Sequence, residues 1–223
     1  MRSDLAALID HTLLRAEAVP LEFERLCVDA AHYSLATVCV NSTHVLRCSQ
    51  HLRDFPVKVA ATVGFPLGAA SIQAKTAEAR QAILDGADEI DMVAPLWALK
   101  TQDRETFVRD VRAVVDVAAG RLVKVILETA LFQDDDKRRG AAWVCEAGAS
   151  FVKTSTGFGP SGATAADVRL LRAEVGDAVG VKASGGIRDA ATADAMVAAG
   201  ASRIGTSVGV AIVTESGIPS EGS

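Results

Sequence analysis

The stretch Gly148-Ala149-Ser150-Phe151-Val152-Lys153-Thr154 decides the fold, because it marks a change from helix to strand. A helical segment ends before it, and glycine suits the left-handed residue that closes a helix. The apolar run that follows is short and does not alternate strictly, which is typical of a strand buried on both faces. The same pattern recurs at Gly86-Ala87 before Glu89–Val93 and at Gly200-Ala201 before Arg203–Thr206. This recurrence indicates a chain that alternates between helices and parallel strands.

Eight such apolar runs are present, with helical segments between them. Ser71–Leu84 is rich in alanine and has no helix breaker, Thr106–Ala118 carries one apolar stripe, and Thr164 begins a further helix. Eight strand–helix units in 223 residues predict an α/β fold, a single (β/α)8 TIM barrel, with a doubly wound sheet as the alternative. The predicted domain spans residues 1–213, and the Gly-, Ser- and Pro-rich tail, residues 214–223, is expected to be flexible. The predicted strands are Leu8–Thr12, Thr37–Asn41, Val57–Gly64, Glu89–Val93, Leu122–Glu128, Phe151–Thr156, Val179–Ala183 and Arg203–Thr206.

The composition favours a globular protein with an aliphatic core. The chain is 49% hydrophobic but only 4% aromatic, so Ala, Val, Leu and Ile must fill the core. The net charge is −5 and no extended lysine/arginine-rich run is present, which argues against a nucleic-acid partner. No apolar run approaches the ~18 residues that a membrane span needs, and the first residues do not resemble a signal peptide. The four cysteines form no C-x-x-C pair and no metal-ligand spacing, so we expect reduced thiols in a cytoplasmic protein without a metal.

Polar residues cluster at the ends of the predicted strands, where barrel enzymes place their active sites. Two of them, Lys153 and Lys182, occupy corresponding places on consecutive strands and are therefore expected to approach each other near the barrel axis. A lysine within a strand is costly to bury, because an unpaired ammonium group loses its hydration. Either lysine alone could point outward or pair with a carboxylate. The two together, with Asp91 and Asp10 nearby, favour a reactive pair.

Two neighbouring lysines suit Schiff-base chemistry. A nucleophilic lysine must be neutral, although its unperturbed pKa is about 10.4. A second ammonium group at about 4 Å supplies about 4 kcal/mol of repulsion at an effective dielectric constant near 20, enough to lower that pKa by about three pH units. One lysine can then attack a carbonyl group while its neighbour keeps it deprotonated and an aspartate moves protons.

Glycine-rich loops follow the last three predicted strands and indicate a phosphate site. Gly157 follows the sixth strand, Gly185-Gly186 follows the seventh, and Gly205 and Ser207 lie at the eighth. Backbone N–H groups in such loops can close on an anion, and this end of a barrel commonly binds phosphate. Arg188 would add positive charge.

Six motifs, in order along the chain, resemble those of the deoxyribose-phosphate aldolase family. The agreement runs from about residue 5 to residue 213. The motifs are Asp10-His11-Thr12-Leu13-Leu14, Gly64-Phe65-Pro66-Leu67-Gly68, Glu89-Ile90-Asp91-Met92-Val93, Lys124-Val125-Ile126-Leu127-Glu128-Thr129, Phe151-Val152-Lys153-Thr154-Ser155-Thr156-Gly157-Phe158 and Gly180-Val181-Lys182-Ala183-Ser184-Gly185-Gly186-Ile187-Arg188.

The resemblance implies a class I aldolase, a lyase that needs no metal or organic cofactor. The reaction would reversibly join acetaldehyde to D-glyceraldehyde 3-phosphate and give 2-deoxy-D-ribose 5-phosphate, as in deoxyribonucleoside catabolism. The resemblance implies that Lys153 forms the imine, and that Lys182 lowers the pKa of Lys153 and takes part in a proton relay. Asp91 would act through a water as general acid/base, Asp10 would support Lys182, and Cys39 matches a family cysteine near the pocket. The residues implied in substrate and phosphate binding are Thr12, Thr156, Gly157, Gly185, Gly186, Arg188, Gly205 and Ser207.

Four features depart from the family pattern. Val208 stands where members usually carry a serine, Ser42 replaces a common proline, and Arg15 replaces a common lysine. The C-terminal tail has no tyrosine, because Tyr33 is the only one in the chain. The valine and the missing tyrosine weaken the expected phosphate grip and proton transfer, and a looser grip would favour unphosphorylated aldehydes. Neither affects the Schiff-base assignment.

Two alternatives stay open at this point. One is another lysine-dependent aldolase or transaldolase with a different donor, and the other is a non-catalytic barrel that binds sugar phosphates. A binding protein would have no need of a lysine with a lowered pKa. The expected partners are small molecules, an aldehyde and a sugar phosphate, and a homodimer or homotetramer is compatible with the sequence.

Overall fold

The computed structural model describes residues 1–214, and in this part of the chain eight parallel strands close into a barrel. Each strand pairs with the next along the chain, and the eighth pairs with the first. The closed order confirms the predicted (β/α)8 barrel, because a doubly wound sheet would stay open. The strands are β1 Ile9–Leu13, β2 Thr37–Asn41, β3 Lys58–Val63, β4 Glu89–Val93, β5 Leu122–Ile126, β6 Phe151–Lys153, β7 Gly180–Ser184 and β8 Arg203–Thr206.

Helices connect the strands, and several begin at side-chain caps. The Ser71 hydroxyl accepts a hydrogen bond from the Ala74 N–H, and Thr164 caps another helix in the same way. The helix predicted from Thr106 begins at Arg104, because the Asp103 carboxylate caps it. The helices are α1 Ser3–Ala6, α2 Pro20–His32, α3 Val45–Leu52, α4 Ile72–Leu84, α5 Leu96–Lys100, α6 Arg104–Ala118, α7 Asp134–Glu146, α8 Ala165–Val175, α9 Ala190–Ala198 and α10 Gly209–Thr214.

Alternation along the strands separates an apolar core from a charged barrel interior. In β4, Ile90 and Met92 are fully buried in the apolar core. The alternate residues, Glu89 and Asp91, are also buried but form ion pairs with side chains of other strands. Successive side chains of a strand point to opposite faces, so the apolar set faces the helices and the charged set faces the barrel axis.

The predicted strand bounds agree with the structure for β2, β4 and β8, and elsewhere differ by one to three residues. The largest difference is in β6, which ends at Lys153 rather than at Thr156. Beyond Lys153, side-chain hydroxyl groups donate hydrogen bonds to backbone carbonyl groups of the neighbouring segment. The Thr154 hydroxyl donates to the Ser184 carbonyl at 3.2 Å, and the Ser184 hydroxyl donates to the Ser155 carbonyl at 2.6 Å.

The predicted C-terminal tail begins at Thr214, which the structure shows as the last residue of α10. The rest of the predicted tail, residues 215–223, lies outside the described residues. Within residues 1–214, no helix combines the length and the apolar character that crossing a membrane requires.

Candidate active site

Charged side chains from six strands meet inside the barrel. The strand register brings them to similar heights, since Asp91 is aligned with Lys124, and Lys153 is aligned with Lys182. All but Arg203 are at most 3% exposed. The members of this group, which we call the interior cluster, are Asp10, Glu89, Asp91, Lys124, Lys153, Lys182 and Arg203.

Asp91 holds both lysines that the sequence singled out. The Nζ atoms of Lys153 and Lys182 lie 2.7 Å and 2.6 Å from the same oxygen, Oδ2 of Asp91. The other oxygen, Oδ1, accepts from Lys124 at 2.7 Å. Because they share one oxygen, the nitrogens of Lys153 and Lys182 cannot be farther apart than these two distances combined. The structure therefore brings the two lysines together inside the barrel.

A second set of ion pairs lies toward the N-terminal end of the barrel. Arg203 Nη1 lies 2.7 Å from Asp10 Oδ1 and 3.1 Å from Glu89 Oε2. Lys124 Nζ lies 2.5 Å from Glu89 Oε2, and Lys182 Nζ also binds Asp10 Oδ2. Each carboxylate of the interior cluster therefore has at least two basic partners.

The interior cluster contains three carboxylates and four basic groups, so one positive charge has no counterpart. Lys124, Lys182 and Arg203 are enough to balance the carboxylates. A charge on Lys153 would be the fourth, in a site where burial strongly disfavours an unbalanced charge. The charge balance therefore favours a neutral amine on Lys153. Among residues 1–214, no three His, Cys, Asp or Glu side chains are arranged to hold a metal ion.

The pKa shifts point to the same assignment. Burial lowers the pKa of Lys153, and the neighbouring ammonium of Lys182 adds to this effect, although Asp91 opposes it. Burial also disfavours charge on Lys182, but Asp10 and Asp91 outweigh it and raise its pKa. The three lysines likewise outweigh burial at Asp91 and hold the pKa of its carboxyl well below the usual range. Repulsion was expected to be the main cause at Lys153, whereas burial has the larger effect.

A cavity of about 320 Å³ opens at the C-terminal end of the barrel. Lys153 lies at its floor, whereas Lys182, Asp91 and Asp10 have no exposed surface and do not line it. Every residue that the sequence assigned to substrate or phosphate binding lines this cavity. These residues are Thr12, Thr156, Gly157, Gly185, Gly186, Arg188, Gly205 and Ser207.

The glycine loops pack closely around this cavity. A Cβ at Gly185 would lie 3.0 Å from Gly162 Cα and 3.4 Å from Gly157 Cα, and its φ of +86° disfavours other residues. Arg188 is exposed at the rim, and among the described residues it has no carboxylate partner. The rim thus offers a free guanidinium group beside closely packed backbone, an arrangement that suits an anion.

Gly205 has a packing role inside the barrel as well as its place in the cavity wall. A Cβ at this position in β8 would lie 3.1 Å from Lys182 Cε and 2.9 Å from Ser184 Cβ. A glycine is therefore needed here because the Lys182 side chain passes beside it.

Cys39 lies under the cavity and not in its wall. Its side chain is fully buried, and its Sγ lies 4.0 Å from Asp91 Oδ2. Burial, and then the negative charge of Asp91, raise the pKa of the thiol. The reactive thiolate is therefore disfavoured at this position.

The departures from the family pattern have identifiable partners. Arg15 lines the cavity, but its guanidinium group is engaged by Glu17 and Glu22. The Ser42 hydroxyl donates to Glu78 Oε1 at 2.8 Å. Val208 is half-buried, and its N–H donates to the Thr206 hydroxyl.

Sequence reasoning gave no role to four buried or half-buried charged residues of this region: Glu89, Lys124, Glu128 and Arg203. For each of them a signal was available. Glu89 lies two residues before Asp91 and so shares its face of β4, and Lys124 and Arg203 lie within predicted strands. Glu128 ends the predicted fifth strand, Leu122–Glu128, whereas in the structure this strand ends at Ile126 and Glu128 follows it.

Comparisons with known proteins find related aldolases along nearly the whole chain. Residues 5–215 match the DeoC/LacD family aldolase. Deoxyribose-phosphate aldolase 1 of Bacillus licheniformis is 52% identical over 214 residues, covering 96% of each chain, and the deoxyribose-phosphate aldolase of a Geobacillus species is 50% identical with the same coverage. Among solved structures, the tetrameric deoxyribose phosphate aldolase of Aeropyrum pernix is 35% identical, with a TM-score of 0.89 over 95% of this chain and 90% of that one. An aldolase named QR15 is 38% identical, with a TM-score of 0.91 over 94% of each chain.

The family match covers nearly the whole chain, and the related sequences and solved structures agree with it. The chain belongs to the DeoC/LacD aldolase family.

Proposed function

We propose that this chain cleaves 2-deoxy-D-ribose 5-phosphate reversibly to D-glyceraldehyde 3-phosphate and acetaldehyde, through an imine on Lys153, in cytoplasmic deoxyribonucleoside catabolism. One observation carries the proposal. Lys153 is a buried amine with a lowered pKa at the floor of an open cavity, and it shares a carboxylate oxygen with Lys182. A lysine must be neutral to attack a carbonyl group, and this arrangement favours the neutral form. The relatives that are about 50% identical to this chain are named deoxyribose-phosphate aldolases.

The reaction begins at the neutral Nζ of Lys153. This nitrogen adds to the aldehyde carbon of the open-chain sugar phosphate and gives a carbinolamine. The carbinolamine hydroxyl takes a proton from Lys182 and leaves as water, which gives an iminium ion. The charged Lys182 is the nearest proton donor, because it lies on the same Asp91 oxygen as Lys153. Asp91 is ionised beside three lysines in the resting site, and it takes up and returns protons through a water in this relay. Asp10 keeps Lys182 in place from the other side.

Carbon–carbon bond cleavage then follows from the iminium charge. The hydroxyl group on the third sugar carbon gives its proton to Asp91 through the water, the bond between the second and third carbons breaks, and the electron pair of that bond moves toward the iminium nitrogen. D-glyceraldehyde 3-phosphate leaves, and an enamine remains on Lys153. Protonation of the enamine carbon and hydrolysis by water release acetaldehyde and regenerate the amine.

The phosphate group is assigned to the rim of the cavity. Gly157, Gly185 and Gly186 supply backbone N–H groups there, and Arg188 supplies positive charge. Gly205 and Ser207 complete this side of the wall, and Thr12 and Thr156 contact the sugar part of the substrate. Val208 offers no side-chain hydroxyl to the phosphate.

Borohydride trapping tests the proposal directly. The protein is incubated with acetaldehyde, reduced, digested and analysed by mass spectrometry, and we expect an ethyl group on Lys153. Lys153→Leu should remove both the adduct and the turnover of 2-deoxyribose 5-phosphate. Lys58→Leu, which changes an exposed lysine of β3, is the matched control and should keep both. Trapping of a ketone donor such as dihydroxyacetone in place of acetaldehyde would favour a different lysine-dependent aldolase, and binding of the sugar phosphate without turnover would favour a binding protein.

We also propose that residues 1–213 act as one catalytic domain and that the chain forms a homodimer or homotetramer. The relative from Aeropyrum pernix is tetrameric, which supports an oligomer. Light scattering coupled to size-exclusion chromatography measures the state directly, and a monomer at micromolar concentration would contradict it.

A further inference from the structure

Glu128 is a buried carboxylate that the chemistry above does not use. It is 3% exposed, and among residues 1–214 it forms no ion pair. Its backbone lies in the left-handed region, with φ of 51° and ψ of 62°, which residues other than glycine adopt infrequently. Such conformations persist only where the surrounding structure enforces them, and they concentrate at functional sites.

Within residues 1–214, the side-chain hydrogen bonds of Glu128 all come from Thr156. The Thr156 N–H donates to the two carboxylate oxygens at 3.4 Å and 3.3 Å, and the Thr156 hydroxyl donates to Oε2. The following loop encloses the carboxylate, since a Cβ at Gly159 would lie 2.7 Å from Glu128 Cδ. In the described part of the chain the Glu128 carboxylate therefore accepts hydrogen bonds from one residue, and that residue lines the cavity.

These contacts determine whether the Thr156 hydroxyl can donate a hydrogen bond to a substrate or accept one from it. A hydroxyl group has one proton to donate and two lone pairs to accept with. The proton of Thr156 is committed to Glu128, and one lone pair accepts from the Phe158 N–H at 3.0 Å. One lone pair remains, so Thr156 can accept a hydrogen bond from a substrate but cannot donate one.

We propose that Glu128 is a positioning residue that determines acceptor specificity. By holding the Thr156 hydroxyl as a pure acceptor, it selects aldehydes that carry a hydroxyl group on the carbon next to the carbonyl. An aldehyde without this hydroxyl leaves the lone pair of Thr156 without a donor. The inference rests on the proposed function, because it concerns the acceptor half of the same aldol reaction.

The test compares two acceptor aldehydes in the condensation with acetaldehyde. D-glyceraldehyde 3-phosphate carries the hydroxyl group, and 3-oxopropyl phosphate lacks it. The measured quantity is the ratio of the two kcat/KM values, in the wild type and in each variant. A neutral hydrogen bond is worth about tenfold or somewhat less in such a ratio. We expect Thr156→Val and Glu128→Ala each to lower the ratio by up to about tenfold.

Three further variants separate positioning from a general structural role. Glu128→Gln should keep most of the discrimination, because one amide oxygen can accept from Thr156 as Oε2 does. The double variant Glu128→Ala/Thr156→Val should lose no more than either single variant, since the two residues act as a unit. Glu105→Ala, an exposed glutamate of α6, is the matched surface control and should leave the ratio unchanged.

The inference is overturned if Thr156→Val leaves the ratio unchanged, or if Glu128→Ala lowers both kcat/KM values equally. If Glu128→Ala does not fold, Glu128→Asp takes its place, because its carboxylate is one methylene shorter and loses its reach. Acetaldehyde trapping on Lys153 is followed in parallel. Acetaldehyde is the donor and has no hydroxyl group that could contact Thr156. Absence of the adduct in the wild type would therefore reject the proposed function. An intact adduct together with an unchanged ratio of kcat/KM values in the variants would reject only the role of Glu128.

Discussion

The variant Lys182→Met removes a positive charge beside Lys153 and keeps an unbranched side chain of similar length in the barrel. The two nitrogens lie 2.7 Å and 2.6 Å from one oxygen of Asp91. Even at the greatest separation that these distances allow, Coulomb's law with an effective dielectric constant of 20 gives about 3 kcal/mol of repulsion. That energy corresponds to about a 100-fold change in the protonation equilibrium of Lys153.

The sign follows from the charge balance of the interior cluster. Lys182 lowers the pKa of Lys153, so its removal raises that pKa. In the variant, Lys153 also becomes the third of three basic groups that face three carboxylates. Its positive charge is then needed to balance the third carboxylate. We expect imine formation at neutral pH to fall about 100-fold and the pH optimum to move to more alkaline values.

The assay measures the rate of adduct formation with acetaldehyde, trapped by borohydride at timed intervals from neutral to alkaline pH. Lys58→Met, on the exposed part of β3, is the matched control and should give the wild-type profile. A Lys182→Met profile that coincides with the wild type would refute the electrostatic reasoning. A rate that stays low at every pH would show that the role of Lys182 is proton transfer and not repulsion.

Three other outcomes follow from the packing and ion pairs. Gly205→Ala places a Cβ 3.1 Å from Lys182 Cε, so we expect about 1–3 kcal/mol of destabilisation in urea unfolding together with slower trapping, and wild-type values for both would contradict the packing role. Asp110→Ala leaves the fully buried Lys75 without its carboxylate partner at 2.8 Å and should cost about 3–5 kcal/mol in the same assay, whereas an unchanged urea midpoint would argue against the pair. The pKa of Asp91 is lowered in the folded state, so its stabilisation is present at neutral pH and is lost as the pH falls below about 4. Asp10 also has a lowered pKa and is present in both proteins, so urea titrations should show a larger loss of stability over this range in the wild type than in Asp91→Asn, and equal losses would contradict the prediction.

The fold could be predicted from sequence because strands buried on both faces leave a simple pattern. Short apolar runs after Gly-Ala marked the strands, and β2, β4 and β8 have the predicted bounds. The end of β6 could not be predicted in this way. Thr154 and the residues after it look like strand residues by composition, but the Thr154 hydroxyl donates to the Ser184 carbonyl at the end of β7, and the Ser184 hydroxyl donates to the Ser155 carbonyl.

The site could be predicted only in part, because spacing shows which residues share a strand but not how strands align around the barrel. Lys153 and Lys182 were found because they occupy corresponding places on consecutive strands. Lys124 lies in an equally clear strand, yet its alignment with Asp91 depends on the register between β4 and β5. Glu128 ends the predicted fifth strand, but its contact with Thr156 depends on its own positive φ, which the sequence pattern does not show.

The balanced charges around Lys153 also affect the intermediate that forms on it. An amine can avoid an unfavourable positive charge by releasing a proton, but an iminium ion cannot. Once the imine is made and protonated, its positive charge has no carboxylate to balance it, because the three carboxylates of the interior cluster are already balanced by the other basic groups. The nitrogen then acts as a strong electron sink, and the charge disappears when the carbon–carbon bond breaks and the neutral enamine forms. The same surroundings that favour the free amine at the start of the reaction therefore pull the bound substrate toward cleavage.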